Sequence, residues 1–297
     1  MISPGVSLSA APPSPPPIDG VHAFWAQKWE APKLGWHKDD VNPHLAKYAD
    51  LLLESEDETN EGVRIFVPLC GKSVDLAYLA SHPKTSHVVG IDIVRNAAED
   101  FASNHLQFSM EEVQLTNECE AEEEGECKNS DPSRPSLSRF HGEGLTILVG
   151  DLFDFLSMSG NGRAKYLTEG IPSITAPVPT KYLFDSIYDR ASMVAIKPSL
   201  RKDYAALMRE LLRPGGVILL VTIDRRKTTT DAAKKDGPPF SIDEAEARQL
   251  YESQPWVESV TLLDEANDLA TDGDRERWEK KGVLELYEVV LLIRKKK

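Results

Sequence analysis

The sequence predicts an α/β fold, a mostly parallel sheet with helices on both faces. Three observations carry this reading. Short apolar runs of strand length alternate with stretches of helical apolar spacing, the pattern of repeated strand–helix–strand units. Runs such as Val63–Pro68 and Val217–Ile223 are apolar almost throughout, as strands covered on both faces must be. The last two runs follow one another without a long helix between them, which suits a closing antiparallel hairpin. Together the runs give seven strands, the last of them antiparallel.

Taken in order, residues 1–20 are rich in Pro, Ser and Ala and lack Lys and Arg, so a disordered tail is expected there. Trp25 and Trp29 stand four residues apart and share one helix face. Val63–Pro68 is the first strand, Leu69–Lys72 its turn, and Val74–Ala80 has helical spacing. His87–Ile93 is the second strand, with a helical stretch from Val94 to Phe108. Leu145–Val149 is the third and Leu183–Tyr188 the fourth. Tyr204–Leu212 is a helix stopped by the turn Arg213-Pro214-Gly215-Gly216, and Val217–Ile223 is the fifth strand. Ile242–Tyr251 is helical, with Ser241 or Asp243 as its cap. Ser259–Leu263 and Glu285–Ile293 close the sheet. Residues 109–140 and 158–180 interrupt the rhythm and read as surface insertions, so residues 21–297 are expected to form a single domain.

Composition limits the partners. The 297 residues carry 34 Lys and Arg against 48 Asp and Glu, a net charge of −14. That balance argues against binding nucleic acid or an anionic membrane, both of which need basic patches. Ser109–Asp131 holds eight Glu and one Asp against one Lys, so more than half of the imbalance belongs to one expected insertion. No apolar run approaches the ~20 residues that cross a bilayer. The three cysteines, Cys70, Cys119 and Cys127, form no disulfide framework, so a reduced, cytoplasmic protein is expected. The His residues show no metal-ligand spacing and no metal is expected. Without long heptads the expectation is a monomer.

In open parallel sheets ligands bind at the carboxyl ends of the strands, near the point where strand order reverses. The turn after the first strand, Pro68-Leu69-Cys70-Gly71-Lys72, has one glycine where a dinucleotide site would show Gly-x-Gly-x-x-Gly. This leaves room for a nucleoside without pyrophosphate. The second strand ends at Asp92, placed either to accept from ribose hydroxyls or to cap the next helix. The third ends in Asp151, which could accept from an adenine amino group or make a turn. The fourth ends in Asp189-Arg190, where Arg190 is either functional or paired with a carboxylate such as Asp189.

Several segments in this order resemble the thiopurine S-methyltransferase family, Rossmann-like enzymes that use S-adenosylmethionine. They are Trp25-x-x-x-Trp29, Trp36-His37, Val67-Pro68-Leu69-Cys70-Gly71-Lys72 and Val88-Val89-Gly90-Ile91-Asp92. Tyr188 to Ile196, Arg201-x-x-Tyr204 and Gly237-Pro238-Pro239-Phe240 continue the series. The resemblance implies a cofactor site of Trp25, Trp29, Trp36, Leu69, Gly71, Asp92, Asp151, Leu152 and Arg190. It implies acceptor contacts from Trp36, Arg190 and Arg277, with Arg190 as the catalytic cation. Asp92 stands where many relatives have Glu, Trp36 where they often have Phe, and Asp151 where some have Ser. The implied activity is methyl transfer to a small (hetero)aromatic thiol. The alternatives are a halide, thiocyanate or selenium/tellurium anion as acceptor, or an inactive cofactor-binding scaffold.

Overall fold

The computed structural model describes residues 20–30, 34–54, 62–114, 138–158, 160, 162, 163, 167, 183–271 and 275–297. Its strands are β1 (Val63–Val67), β2 (Thr85–Asp92), β3 (Glu111–Gln114), β4 (Ser138–Gly142), β5 (Leu145–Val149), β6 (Phe184–Arg190), β7 (Leu212–Thr228), β8 (Val257–Asn267) and β9 (Val283–Lys295). They form one sheet in the order β3-β4-β5-β2-β1-β6-β7-β9-β8. The central five, β5-β2-β1-β6-β7, are parallel. β9 runs antiparallel to both β7 and β8, as the late apolar runs suggested.

The sheet therefore has nine strands, not seven. The two added strands are the ends of the expected insertion at 109–140. The edge of β5 presents unpaired backbone groups that a neighbouring strand can satisfy. Ser138–Gly142 does so antiparallel, with Phe140 opposite Ile147 and buried. β3 then pairs with β4. The acidic residues 115–137 lie outside the described residues, as do residues 1–19 of the expected tail. Within the second expected insertion Leu167 is buried in the main core, while residues 168–180 lie outside the described residues.

Two further differences are local. The Arg213–Gly216 turn is an irregularity inside β7: pairing with β6 slips between Phe184 opposite Leu212 and Ser186 opposite Val217, and Gly215 takes φ +72°. The helix α2 (Pro43–Leu52), which follows α1 (Val21–Trp29), was not among the expected elements. Its signal is Asn42 before Pro43. The Asn42 side chain accepts from the His44 and Leu45 amides, and proline suits the first helical turn.

Apolar alternation divides the core between the two faces of the sheet. Ile65 and Val88 face one side, Phe66 and Val89 the other. Such side chains each contribute about 1.5–3 kcal/mol when fully buried. The helix Arg201–Leu211 lays Tyr204, Ala205, Leu207, Met208 and Leu211 on the Phe66 face. Tyr204 also reaches the end of β6, where its hydroxyl donates to the fully buried Asp189 at 2.7 Å. Asp189 accepts from the Met193 amide as well, and Ser192 Oγ donates to the Pro68 carbonyl at 2.6 Å. These bonds lock the end of β6 against the end of β1. Burial pushes the Asp189 carboxyl up to about 6, against the opposing pull of these donors. Tyr204→Phe removes one donor from a buried carboxyl. A loss of about 1–3 kcal/mol in urea unfolding is expected, and an unchanged midpoint would contradict the locking role.

Candidate active site

The sheet creates the site by its topology. From β1 the chain steps to β2 and then β5 on one side; it returns through β6 on the other. The carboxyl ends of β1 and β6 thus diverge and leave a crevice. A cavity of about 370 Å³ lies there. Leu69 after β1 and Ala191 after β6 flank it, and both take left-handed backbone angles, φ +44° and +64°. Such angles cost a non-glycine residue on the order of 1–3 kcal/mol and persist only where the surroundings impose them. Here the Cys70 amide bonds the Ile91 carbonyl and Ser192 bonds Pro68.

Asp92 forms part of the cavity wall. One carboxylate oxygen accepts from the Gly71 amide and the other from the Val94 amide, each at 2.9 Å. The second bond is the helix-start contact weighed for this residue; the first ties the β1 turn to the β2 end. Burial raises the Asp92 carboxyl to about 6, and the backbone donors limit the rise. Gly71 has φ +52°, and a Cβ there would run into the Trp29 ring at 2.6 Å. Only glycine lets Trp29 lie over the turn.

Three tryptophans roof the cavity. Trp36 meets Trp25 edge to face at 5.6 Å between centroids and Trp29 at 6.0 Å. Pairs of this geometry are worth about 0.5–1.5 kcal/mol each beyond burial. The Trp36 carbonyl accepts from Arg190 Nη1 at 2.8 Å. Arg190 is therefore held across the cavity mouth, and Asp189 spends its oxygens on Tyr204 and Met193 instead. Tyr188 donates to Asp75 at 3.0 Å, and Asp75 also accepts from the Asn42 amide. Glu288 faces His44 at 3.3 Å. Burial pushes Glu288 up, but the His44 hydrogen bond and the charge of Arg190 outweigh it and hold it low.

Of the residues expected at the site, Trp25, Trp29, Trp36, Leu69, Gly71, Asp92, Arg190 and Arg277 all line this one cavity. Asp151 and Leu152 do not. Leu152 is buried in the core, and Asp151 accepts from the Phe153 amide at 2.9 Å, a turn contact. Cys70 lines the cavity but is buried, and that burial pushes its thiol well above its ordinary value, which leaves it a poor nucleophile. Lys72 pairs with Asp100 at 2.8 Å. Sequence reasoning missed Asp75, Tyr188, Trp278, Lys281 and Glu288, which also line the cavity. Asp75 looks like an ordinary first-turn acid and Tyr188 and Glu288 like strand residues; their roles depend on contacts across more than 100 positions.

The arrangement can hold a nucleoside against Asp92 and the aromatic roof and an electron-rich acceptor against Arg190. The thiopurine S-methyltransferase family profile matches residues 21–127 and 174–296. A thiopurine S-methyltransferase of Vibrio atlanticus (strain LGP32) is 33% identical over 270 residues, 91% of this chain and 96% of that one. A solved structure described as "Conversion of a Disulfide Bond into a Thioacetal Group during Echinomycin Biosynthesis" gives a TM-score of 0.51 at 13% identity, covering 94% of this chain and 91% of that one. Haemonchus contortus phospholethanolamine N-methyltransferase 2, in complex with phosphomonomethylethanolamine and S-adenosylhomocysteine, gives 0.52 at 11%, covering 94% and 58%. These two likenesses speak to the fold.

The raised Asp92 carboxyl has a consequence for stability. Its folded pKa, about 6, lies above the ordinary 3.8, so the folded state holds the proton longer. Its contribution is greatest at low pH and is lost as pH rises through about 6, with a limit on the order of 2–3 kcal/mol. Asp189 behaves alike. Asp92→Asn is expected to lessen, not abolish, the fall in urea stability between about pH 4 and pH 6; an unaltered slope would contradict the shift.

Proposed function

Because the chain belongs to the thiopurine S-methyltransferase family, we propose that it methylates the sulfur of small, preferably aromatic, thiols. Family membership makes it an S-adenosylmethionine-dependent methyltransferase. The observation that carries the finer reading is the meeting of Asp92, the tryptophan roof and Arg190 in one cavity at the strand switch point.

The residues fit the cofactor. Asp92 is a buried acceptor on the cavity wall, suited to ribose hydroxyls, and it comes from the strand end where nucleoside folds place one. Leu69 and Gly71 bring the β1 turn close, and Trp25, Trp29 and Trp36 exclude water from above. The adenine-side role of Asp151 and Leu152 rests on the resemblance alone. When bound, S-adenosylmethionine supplies the methyl group from its sulfonium.

Arg190 does the electrostatic work at the acceptor. A guanidinium close to a thiol favours the thiolate, which is the nucleophile. An acidic aromatic thiol is already largely ionised near neutral pH, so no strong protein base is needed. Arg277 lines the same cavity and reinforces the positive field. Holding both reactants in register is worth up to ~7–11 kcal/mol in favourable cases, and the rigid strand ends are built for that.

Labelled S-adenosylmethionine, offered with thiopurine, thiophenol, iodide and thiocyanate, tests the reading. Transfer to the thiols is expected; transfer to the inorganic anions alone, or to nothing, would overturn it. Arg190→Ala should lower turnover of the thiols by more than the same change at a distant surface arginine such as Arg209, and equal effects would remove Arg190 from the mechanism. Ionised Asp92 is the better acceptor for ribose hydroxyls. Affinity for S-adenosylhomocysteine, measured by calorimetry, should therefore fall as pH drops below about 6, and a flat profile would contradict the ribose role.

A further inference from the structure

Two opposite charges line the cavity without pairing. Arg190 donates through Nη1 to the Trp36 carbonyl at 2.8 Å, and Glu288 turns Oε2 to His44 Nε2 at 3.3 Å. Arg190 is near enough for its charge to act on Glu288, yet among the described residues the two form no ion pair. A guanidinium and a carboxylate that meet ordinarily close into two parallel hydrogen bonds. Here each is held by a partner of its own, and both face what enters the cavity. Asp92, Asp75 and Asp268, the other acids of the cavity wall, are engaged elsewhere.

Three elements build the hold on Glu288. It stands on β9, and its strand neighbours, Ile223 on β7 and Ala266 on β8, carry no charge. His44 comes from α2 and is buried, and its Nδ1 lies 3.7 Å from Asp264 Oδ2 on β8. Asp264 in turn accepts from Lys47 Nζ at 2.7 Å and from the Tyr48 hydroxyl at 3.2 Å. The imidazole is thus set between two carboxylates, one for each ring nitrogen. Burial pushes the Glu288 carboxyl up, but His44, Arg190 and, more weakly, Lys38 outweigh it. Tyr188, within reach of the same charge, donates to Asp75. Glu288 is therefore an oriented, ionised carboxylate, and its Oε1 has no bond among the described residues.

An acidic aromatic thiol arrives already ionised, but an alkyl thiol, with an ordinary pKa of about 8.5 or above, brings a proton that must leave. We infer that Glu288 is the base that takes this proton and that His44 is its positioning residue. This assignment rests on the thiol reading above and deepens it. In the step the S–H bond breaks, the proton goes to Glu288 Oε1 and the electron pair stays on sulfur, where Arg190 favours the anion. The sulfur then bonds the methyl carbon, and the pair of the old carbon–sulfonium bond passes to the sulfonium sulfur. Glu288 returns its proton to water once the product has left. A weakly basic carboxylate suffices because Arg190 lowers the cost of ionising the thiol.

The test sets benzyl mercaptan, protonated near neutral pH, against 4-nitrothiophenol, ionised there, using the full chain and the variants Glu288→Gln, His44→Ala and His44→Gln. Glu288→Gln should lower kcat for benzyl mercaptan about a hundredfold, as loss of a general base does. The same change should raise kcat/KM for 4-nitrothiophenol severalfold, because it removes a negative charge from beside an anion. That gain also shows the variant to be folded. Equal losses on both thiols, or no loss on benzyl mercaptan, would overturn the assignment. The pH profile of kcat for benzyl mercaptan reads His44. Its acid limb should move to higher pH in His44→Ala, which no longer holds the Glu288 proton off, and most of the way back in His44→Gln, which keeps an N–H donor. A limb that stays in place in His44→Ala would overturn the positioning role. Transfer by wild type to 4-nitrothiophenol but not to benzyl mercaptan would overturn the base and leave the thiol reading standing; transfer to neither would overturn both.

Discussion

The structure turns on one buried carboxylate. Asp92 joins the end of β2 to the turn after β1 through the Gly71 amide, and the aromatic roof is built on that junction. With the turn pinned, Gly71 can hold its positive φ and present a bare surface to Trp29. Trp29 anchors the N-terminal aromatic segment over the sheet and meets Trp36, and the Trp36 carbonyl aims Arg190. Asp92, the tryptophan roof and Arg190 are thus mechanically connected. The site is one assembly, so a defect at the junction reaches the acceptor end.

Both signs of charge line the cavity. Two of its acids, Asp92 and Asp75, are buried and held by backbone amides and Tyr188. The bases gather at the mouth and around Trp278. This local order coexists with a chain charge of −14, much of which falls in an acidic stretch remote from these contacts in sequence. Net charge therefore says little about what this cavity prefers. Arg190, Arg277 and Lys281 line the same cavity as Asp92 and Asp75.

Much of this was legible in the sequence, for identifiable reasons. The central parallel strands are apolar almost throughout, so Val63–Val67, Leu145–Val149 and Val217–Ile223 announce themselves. Asp92, Gly71 and Arg190 are legible because chemistry concentrates at strand ends. The edge pair β3 and β4 was not, because Ser138–Gly142 is short and half polar and becomes a strand only beside the open edge of β5. Asp151 accepts from the Phe153 amide, the turn contact that the sequence also allowed, and a strand-end acid alone does not tell that use from ligand binding. Glu288 and Lys281 carry no local signal. One lies on a strand and one in a turn, and they acquire meaning only when β9 brings them to a cavity begun more than 200 residues earlier.

The most direct test of the connected site is calorimetric titration of S-adenosylhomocysteine into the wild-type chain and Asp92→Ala, with circular dichroism to verify that both are folded. Saturable binding by the wild type and a loss of about 1–3 kcal/mol in the variant are expected, since a ribose would be left without its buried acceptor. Equal affinity in the two folded proteins would contradict the account, because the carboxylate on which the site is built would then contribute nothing to holding the cofactor.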